Sequence, residues 1–257
     1  MAPRFGSMAL GALLWDVDGT LAETERDGHR RAFNRAFATA GVPLHWDSAR
    51  YGELLAISGG QERLSVALQQ WQGHPADPAL VADLQARKQK HYASLLASGE
   101  LGLRPGVAEL IREAAAAGVA QVIVTTSGRR SVTALSKHVL GGLANCFSFW
   151  VCGEDVARKK PDCEAYLLAL RHLGLGAERG LALEDSGNGL AAADGAGLAC
   201  LVTASHYGAA EAPERFARAR AVVSELGPQV KVLRGPACQG SRITLSYLHD
   251  LLEAAQP

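Results

Sequence analysis

From Arg104-Pro105-Gly106 to about Val223 the chain alternates short apolar runs with amphipathic stretches, a rhythm that restricts the fold more than any other feature. Helical spacing over Val107–Ala117 ends near Gly118, a residue suited to a helix C-cap. The pattern then predicts strands at Val119–Thr126, Phe147–Cys152, Gly180–Leu183, Ala199–Val202 and Ala221–Val223. Helices are predicted between them at Ser131–Leu140, Cys163–Leu173 and Gly189–Ala196. Such alternation implies an α/β fold with a parallel sheet covered on both faces, because each crossover lays a helix against the strands. Ligands of these sheets gather at the C-terminal ends of the strands. The tail from Gln229 shows one clear pattern, a helix over Ile243–Ala254.

A further strand precedes this region. Ala12, Leu13, Leu14 and Trp15 form a short apolar run that ends in Asp16-Val17-Asp18-Gly19-Thr20. Carboxylates two residues apart on extended backbone point to one side. Two like charges held together there cost stability unless a cation or a reaction uses them. Residues 24–100 have a different texture: helical spacings and no convincing strand. Ala32, Phe33, Ala36 and Phe37 make one apolar stripe. Leu64, Ala67, Leu68 and Trp71 make another, and Leu80, Leu84, Tyr92, Leu95 and Leu96 a third. Gly41-Val42-Pro43 and Gly73-His74-Pro75 separate them. The chain therefore divides into a core of residues 1–23 and 101–257 and a helical insert of residues 24–100, with hinges near Leu21–Thr24 and Leu101–Pro105.

Three more motifs fall at strand ends. Thr125-Thr126-Ser127-Gly128 closes one strand with hydroxyls, which together with turn N–H groups can hold phosphate oxygens, or cap the next helix. Arg158-Lys159-Lys160-Pro161 places a lysine pair in a chain with six lysines and twenty arginines. An ammonium is a compact charge for a phosphoryl or carboxylate group, and the alternative is a solvated basic turn. Glu184-Asp185-Ser186-Gly187-Asn188-Gly189 closes another strand with two acids before a glycine-rich helix start. Beside Asp16 and Asp18, these carboxylates make an oxygen-rich site suited to Mg²⁺, although Asp185 alone could simply cap the helix.

In this order and spacing the motifs resemble those of the haloacid dehalogenase superfamily, specifically its phosphatases with a helical cap. The resemblance runs through nearly the whole chain to about Val223. It implies a Rossmann-like parallel core, Mg²⁺ as cofactor, and a phosphorylated small molecule as substrate. Asp16 would be the nucleophile, forming an aspartyl-phosphate, and Asp18 the general acid and base. That role implies a raised pKa for Asp18 in a sheltered cleft. Asp16, the Asp18 backbone carbonyl and Asp185 would hold the metal, with Glu184 acting through water. Thr125, Thr126 and Lys160 would hold phosphoryl oxygens. True haloacid dehalogenases lack a carboxylate at the Asp18 position. Phosphonate hydrolases need a lysine in the cap, and this chain has none before Lys88.

The segment Leu21–Asn34, the run Tyr51-Gly52-Glu53-Leu54-Leu55 and the loop Ser58-Gly59-Gly60-Gln61-Glu62-Arg63 resemble the CbbY branch, near β-phosphoglucomutase. That branch implies a sugar bisphosphate such as xylulose 1,5-bisphosphate, with Glu25, His29 and Tyr51 lining the sugar pocket and Arg63 or Arg50 on the distal phosphate. His29 could otherwise be a surface histidine, and Tyr51 a core-edge aromatic. The branch has lysine where this chain has Gln61, so a second phosphate loses a charge partner, and Arg129 and Arg130 are candidates to compensate. A phosphosugar mutase and a non-catalytic sugar-phosphate sensor remain the alternatives.

Composition excludes other classes. Net charge is zero, which argues against a nucleic-acid surface or a basic membrane patch. Five scattered cysteines form no C-x-x-C pair and read as reduced thiols of a cytoplasmic protein. The apolar stretch before Asp16 is too short for a signal peptide or a spanning helix. No large apolar patch stands out, so a monomer is expected. The seven residues before Met8 read as a native extension or as a cloning remnant.

Overall fold

The computed structural model describes residues 10–254, so the question raised by the residues before Met8 lies outside the described region. The sheet contains β1 (Ala12–Trp15), β2 (Ala120–Val124), β3 (Phe149–Val151), β4 (Gly180–Glu184), β5 (Ala199–Thr203), β6 (Ala221–Val223) and β7 (Val232–Arg234). Their order is β3-β2-β1-β4-β5-β6-β7. All neighbours are parallel except β7, which joins β6 antiparallel at the edge. β7 carried no signal in the sequence, because three residues that are largely exposed show no apolar pattern.

β1 is buried along its whole length because it lies between β2 and β4 with helices on both sides. Its residues alternate between two cores. Leu13 and Trp15 pack with α5 (Val107–Ala116), α6 (Arg129–Leu135) and α9 (Leu245–Glu253). Ala12 and Leu14 pack with α7 (Glu164–Leu173) and α8 (Gly187–Gly195). The one polar atom of Trp15 is satisfied: its Nε1 donates to Gln121 Oε1 at 3.1 Å, and Gln121 Nε2 donates to the Ile111 carbonyl at 3.0 Å. A buried indole and amide without these bonds would each cost ~1–3 kcal/mol.

The expected helix at Ser131–Leu140 starts earlier and ends earlier, as α6, and a wider π turn runs over Ser136–Leu140. The final helix is Leu245–Glu253, capped by the Thr244 hydroxyl, which accepts from Tyr247 N at 3.2 Å.

Between β1 and α5 lie α1 (Arg30–Ala40), α2 (Ser48–Leu54), α3 (Gly60–Gln72) and α4 (Pro78–Ala97). Asp47 and Asp77 cap the starts of α2 and α4. These helices share a third core built on Phe33, Phe37, Trp46, Tyr51, Leu64, Leu68 and Leu84. Trp71, which shares the spacing of Leu64 and Leu68, is 45 % exposed in the last turn of α3. The chain enters and leaves this helical segment side by side: Ala22 bridges Leu103, and Arg104 N donates to the Leu21 carbonyl at 2.9 Å. Among the described residues no helix is long and apolar enough to cross a membrane.

Candidate active site

The strand order places β3, β2, β1 and β4 side by side, so the four sequence motifs meet at the C-terminal ends of these neighbouring strands. Asp16 follows β1, Thr125 follows β2, the loop to Lys160 follows β3, and Glu184 and Asp185 close β4. Asp16, Glu184 and Asp185 each offer a carboxylate oxygen within 4.8 Å of the others, and all three are buried. Asp185 therefore lies beside Asp16, although 168 residues separate them in the chain.

Lys160 is the cation of this cluster. Its Nζ donates to Asp16 Oδ1 at 2.8 Å, Glu184 Oε1 at 2.6 Å and the Val124 carbonyl at 2.7 Å. Burial would lower the ammonium's pKa, but the two carboxylates outweigh it and hold it above the ordinary lysine value. Tyr166 donates a second hydrogen bond to Glu184 from α7. The other Asp16 oxygen accepts from the Thr20 hydroxyl at 3.3 Å. Burial pushes the Asp16 carboxyl up to about 7, against Lys160 and with the charges of Glu184 and Asp18. Asp185 is likewise raised, by burial and then by Asp16. Three clustered acids with one ammonium hold more negative charge than the site can solvate. This oxygen donor set fits a hard divalent cation.

Asp18 behaves in the opposite way. Its Oδ1 takes His29 Nε2 at 2.9 Å and the Thr24 hydroxyl; its Oδ2 takes the Ser127 hydroxyl at 2.5 Å. Burial would raise its pKa, but His29, Ser127 and Thr24 hold the carboxyl well below the usual range. The expectation of a raised Asp18 is thus overturned: three donors favour the charged form more than shelter disfavours it.

The remaining candidates divide by location. His29 is buried and stacked on Tyr92 at 4.1 Å, so it is no surface histidine. Tyr51 is buried in the insert's core, and its hydroxyl donates to Glu25 at 2.5 Å. Arg63 donates to the Tyr51 hydroxyl at 2.8 Å and to the Leu54 and Ile57 carbonyls. Its fork is therefore engaged within the insert. Gln61 is exposed at the start of α3. Arg50 pairs with Glu53 and Gln70, and Arg129 with Asp155, while Arg130 is exposed. The Thr125 hydroxyl accepts from Ser127 N at 3.1 Å, and Thr126 lines the open cavity. That cavity, about 950 Å³, lies between the motif loops, α2 and residues 206–211. The sequence reading missed Thr24, Ser127 and Tyr166, which carry hydroxyls onto the acids. Thr24 and Ser127 sit within segments already singled out, whereas Tyr166 lies on a helix with no local signal.

The haloacid dehalogenase-like hydrolase model matches residues 10–197. A CbbY protein of Cereibacter sphaeroides is 48 % identical over 197 residues, 76 % of this chain and 85 % of its own length. The chain belongs to the haloacid dehalogenase-like hydrolases, in the CbbY branch. Solved structures agree: CbbY from Rhodobacter sphaeroides with phosphate superposes at TM-score 0.78 and 45 % identity, over 84 % of this chain and 94 % of that one. A variant of the same protein in complex with xylulose 1,5-bisphosphate gives the same values. The chain is thus an enzyme, a phosphatase of this hydrolase family with its α/β fold.

Proposed function

We propose that the protein is a Mg²⁺-dependent phosphatase of a small sugar phosphate, a bisphosphate such as xylulose 1,5-bisphosphate. The observation that carries this reading is the buried cluster of Asp16, Glu184 and Asp185 around Lys160, opposite a separately held Asp18. The CbbY complex with xylulose 1,5-bisphosphate supports the choice of substrate. The helical segment of residues 24–100 acts as a cap over the cavity.

Asp16, Asp185 and the Asp18 backbone carbonyl would hold the cation, with Glu184 behind a water. Mg²⁺, when bound, offsets carboxylate charge and polarises phosphoryl oxygens. The Asp16 carboxylate oxygen attacks phosphorus, and the ester oxygen leaves with its bonding electrons. Lys160 and the turn at Thr125 and Thr126 compensate charge on the oxygens in transfer. Asp18 protonates the leaving oxygen. It then takes a proton from the water that attacks the aspartyl-phosphate, which frees phosphate and restores Asp16. As an acid Asp18 must first give up part of its three-donor cradle, since Thr24, Ser127 and His29 all favour the carboxylate. On the insert side Glu25 lines the cavity, braced by the buried Tyr51 and by Arg63, while His29 bears on Asp18 rather than on the cavity.

The test is phosphate release from a panel of sugar mono- and bisphosphates with and without Mg²⁺, in the wild type and Asp16→Asn. The variant should keep the wild-type circular dichroism spectrum and lose turnover. An active variant refutes the assignment of the nucleophile. A lag removed by a trace of bisphosphate would point to a mutase instead.

A further inference from the structure

The cap joins the core through two short segments, and one buried arginine stands where the second of them meets the catalytic loops. Arg104 is preceded by Leu103, which bridges Ala22, and its own N–H binds the Leu21 carbonyl. Its side chain is 10 % exposed. The guanidinium meets four backbone carbonyls from three separate loops. Nη1 donates to Gly19 and, at 2.8 Å, to Thr203; Nη2 donates to Ala204 at 2.8 Å and to Ser224 at 3.0 Å. The nearest carboxylate is Glu23, at 3.9 Å from Nε, and Glu23 Oε1 also accepts from His206 N at 3.3 Å.

Two of those loops enclose Asp185. A Cβ built on Gly19 would stand 2.1 Å from Asp185 Oδ2 and 2.9 Å from Ser205 Cβ, so the Gly19 backbone is pressed against that carboxylate. Ser205, one residue beyond Ala204, hydrogen-bonds the Asp185 carboxyl and accepts from Gly208 N at 3.0 Å. A planar fork with fixed donor directions is suited to holding several carbonyls in register, which a flexible ammonium is not. Packing alone would not need a buried charge here. Carbonyl dipoles offset its desolvation only if all of them converge, so the arrangement constrains Gly19, Thr203–Ala204 and Ser224 to one geometry.

We propose that Arg104 is a positioning residue that ties the cap's hinge to the carboxylate of Asp185, through the Gly19 and Thr203–Ser205 backbone. This inference rests on the reading of Asp16 and Asp185 as metal ligands. It goes beyond that reading by making metal affinity depend on a hinge residue that touches neither substrate nor ion. Groups that orient metal ligands typically change affinity or rate by about 10- to 100-fold when removed.

The experiment compares the full-length wild type with Arg104→Ala and Arg104→Lys. Mn²⁺ binding is followed by electron paramagnetic resonance, and sugar-phosphate hydrolysis by separate kcat and KM. In Arg104→Ala, Mn²⁺ binding should weaken about tenfold or more and kcat should fall by a similar factor, with KM within about threefold of wild type. Guanidinium chloride at low millimolar concentration should restore part of both, and sodium chloride should not. Arg104→Lys keeps the charge but not the fork, so it should bind Mn²⁺ less tightly than wild type. Wild-type Mn²⁺ affinity in either folded variant overturns the proposal. If Arg104→Ala does not fold, Arg104→Lys alone decides. A wild type that binds Mn²⁺ but hydrolyses no sugar phosphate sinks the functional reading and leaves the metal-affinity comparison to judge Arg104.

Discussion

Lys88 offers a quantitative test of the interior of the helical segment between β1 and α5. It lies on α4, 4 % exposed, with its ammonium 5.0 Å from the Phe33 ring centre and 5.2 Å from that of Tyr92. Burial lowers its pKa from 10.5 to about 8; Glu25 and Asp18 oppose this, and Arg63 adds to it. A lysine whose folded value is depressed binds fewer protons than the unfolded chain between about pH 8 and 10.5. Stability contributed by this site therefore rises with pH through that window. Below pH 8 the full penalty is present, about 3 kcal/mol at roughly 1.4 kcal/mol per pH unit. Lys88→Met keeps a flexible unbranched chain and removes the charge. It also removes cation–π contacts worth about 1 kcal/mol, leaving a net gain of about 2 kcal/mol. At about 2–4 °C per kcal/mol for a chain of this size, the variant should melt some 4–8 °C higher at pH 7. The advantage should fall through that window and be nearly gone by pH 10.5, where the folded lysine is neutral and about half of the unfolded ones are. Thermal melts of both proteins at half-unit pH steps provide the measurement. A difference that stays constant from pH 7 to 10.5, or a variant less stable at pH 7, would refute the reasoning.

Three further outcomes are expected. Gly19→Ala should abolish phosphatase activity and weaken metal binding, because φ is +92° and the new methyl would meet Asp185 at 2.1 Å; wild-type kcat in that variant contradicts the packing argument. Tyr51→Phe should cost ~1–3 kcal/mol in urea unfolding, since it leaves Glu25 without its 2.5 Å donor and Arg63 without its 2.8 Å acceptor. Gln61→Lys should lower KM for a bisphosphate about 10- to 100-fold, the value of a charge-assisted phosphate contact, and change a monophosphate KM by less than about twofold. Equal shifts for both substrates would show that position 61 does not face the second phosphate.

The core and the four motif loops were legible because each rests on a local rule. A buried parallel strand needs a continuous apolar run, and Ala12–Trp15 supplies one. A strand end that carries two acids or paired hydroxyls stands out against that run, so Asp16, Thr125, Glu184 and Asp185 could be named before the topology was known. The groups that were not legible act across the fold. Tyr166 reaches Glu184 from the exterior helix α7, Arg104 gathers carbonyls from three loops, and β7 pairs at an edge through backbone alone. Arg63 was read as a partner for the distal phosphate, whereas its fork donates to the Tyr51 hydroxyl and to the Leu54 and Ile57 carbonyls, contacts that depend on how α2 meets α3 and that no spacing encodes.

The electrostatics of the Asp-x-Asp pair show why spacing and chemistry separate. Sequence geometry treats Asp16 and Asp18 alike, as acids two residues apart. The fold gives them opposite surroundings. Asp16 faces two further carboxylates and one ammonium, and burial lifts it to about 7. Asp18 turns toward the hinge, where two hydroxyls and an imidazole hold it as an anion. The usual pattern gives the proton donor the raised value and the nucleophile the low one; here the two run the other way, so the proposed roles require a cation beside Asp16 and the loss of donors from Asp18. Both donors nearest the hinge, Thr24 and His29, belong to the stretch that leads into the cap. Asp18 is therefore held in part from the insert side, whereas Lys160 and the Asp16 cluster are anchored on β2, β4 and α7.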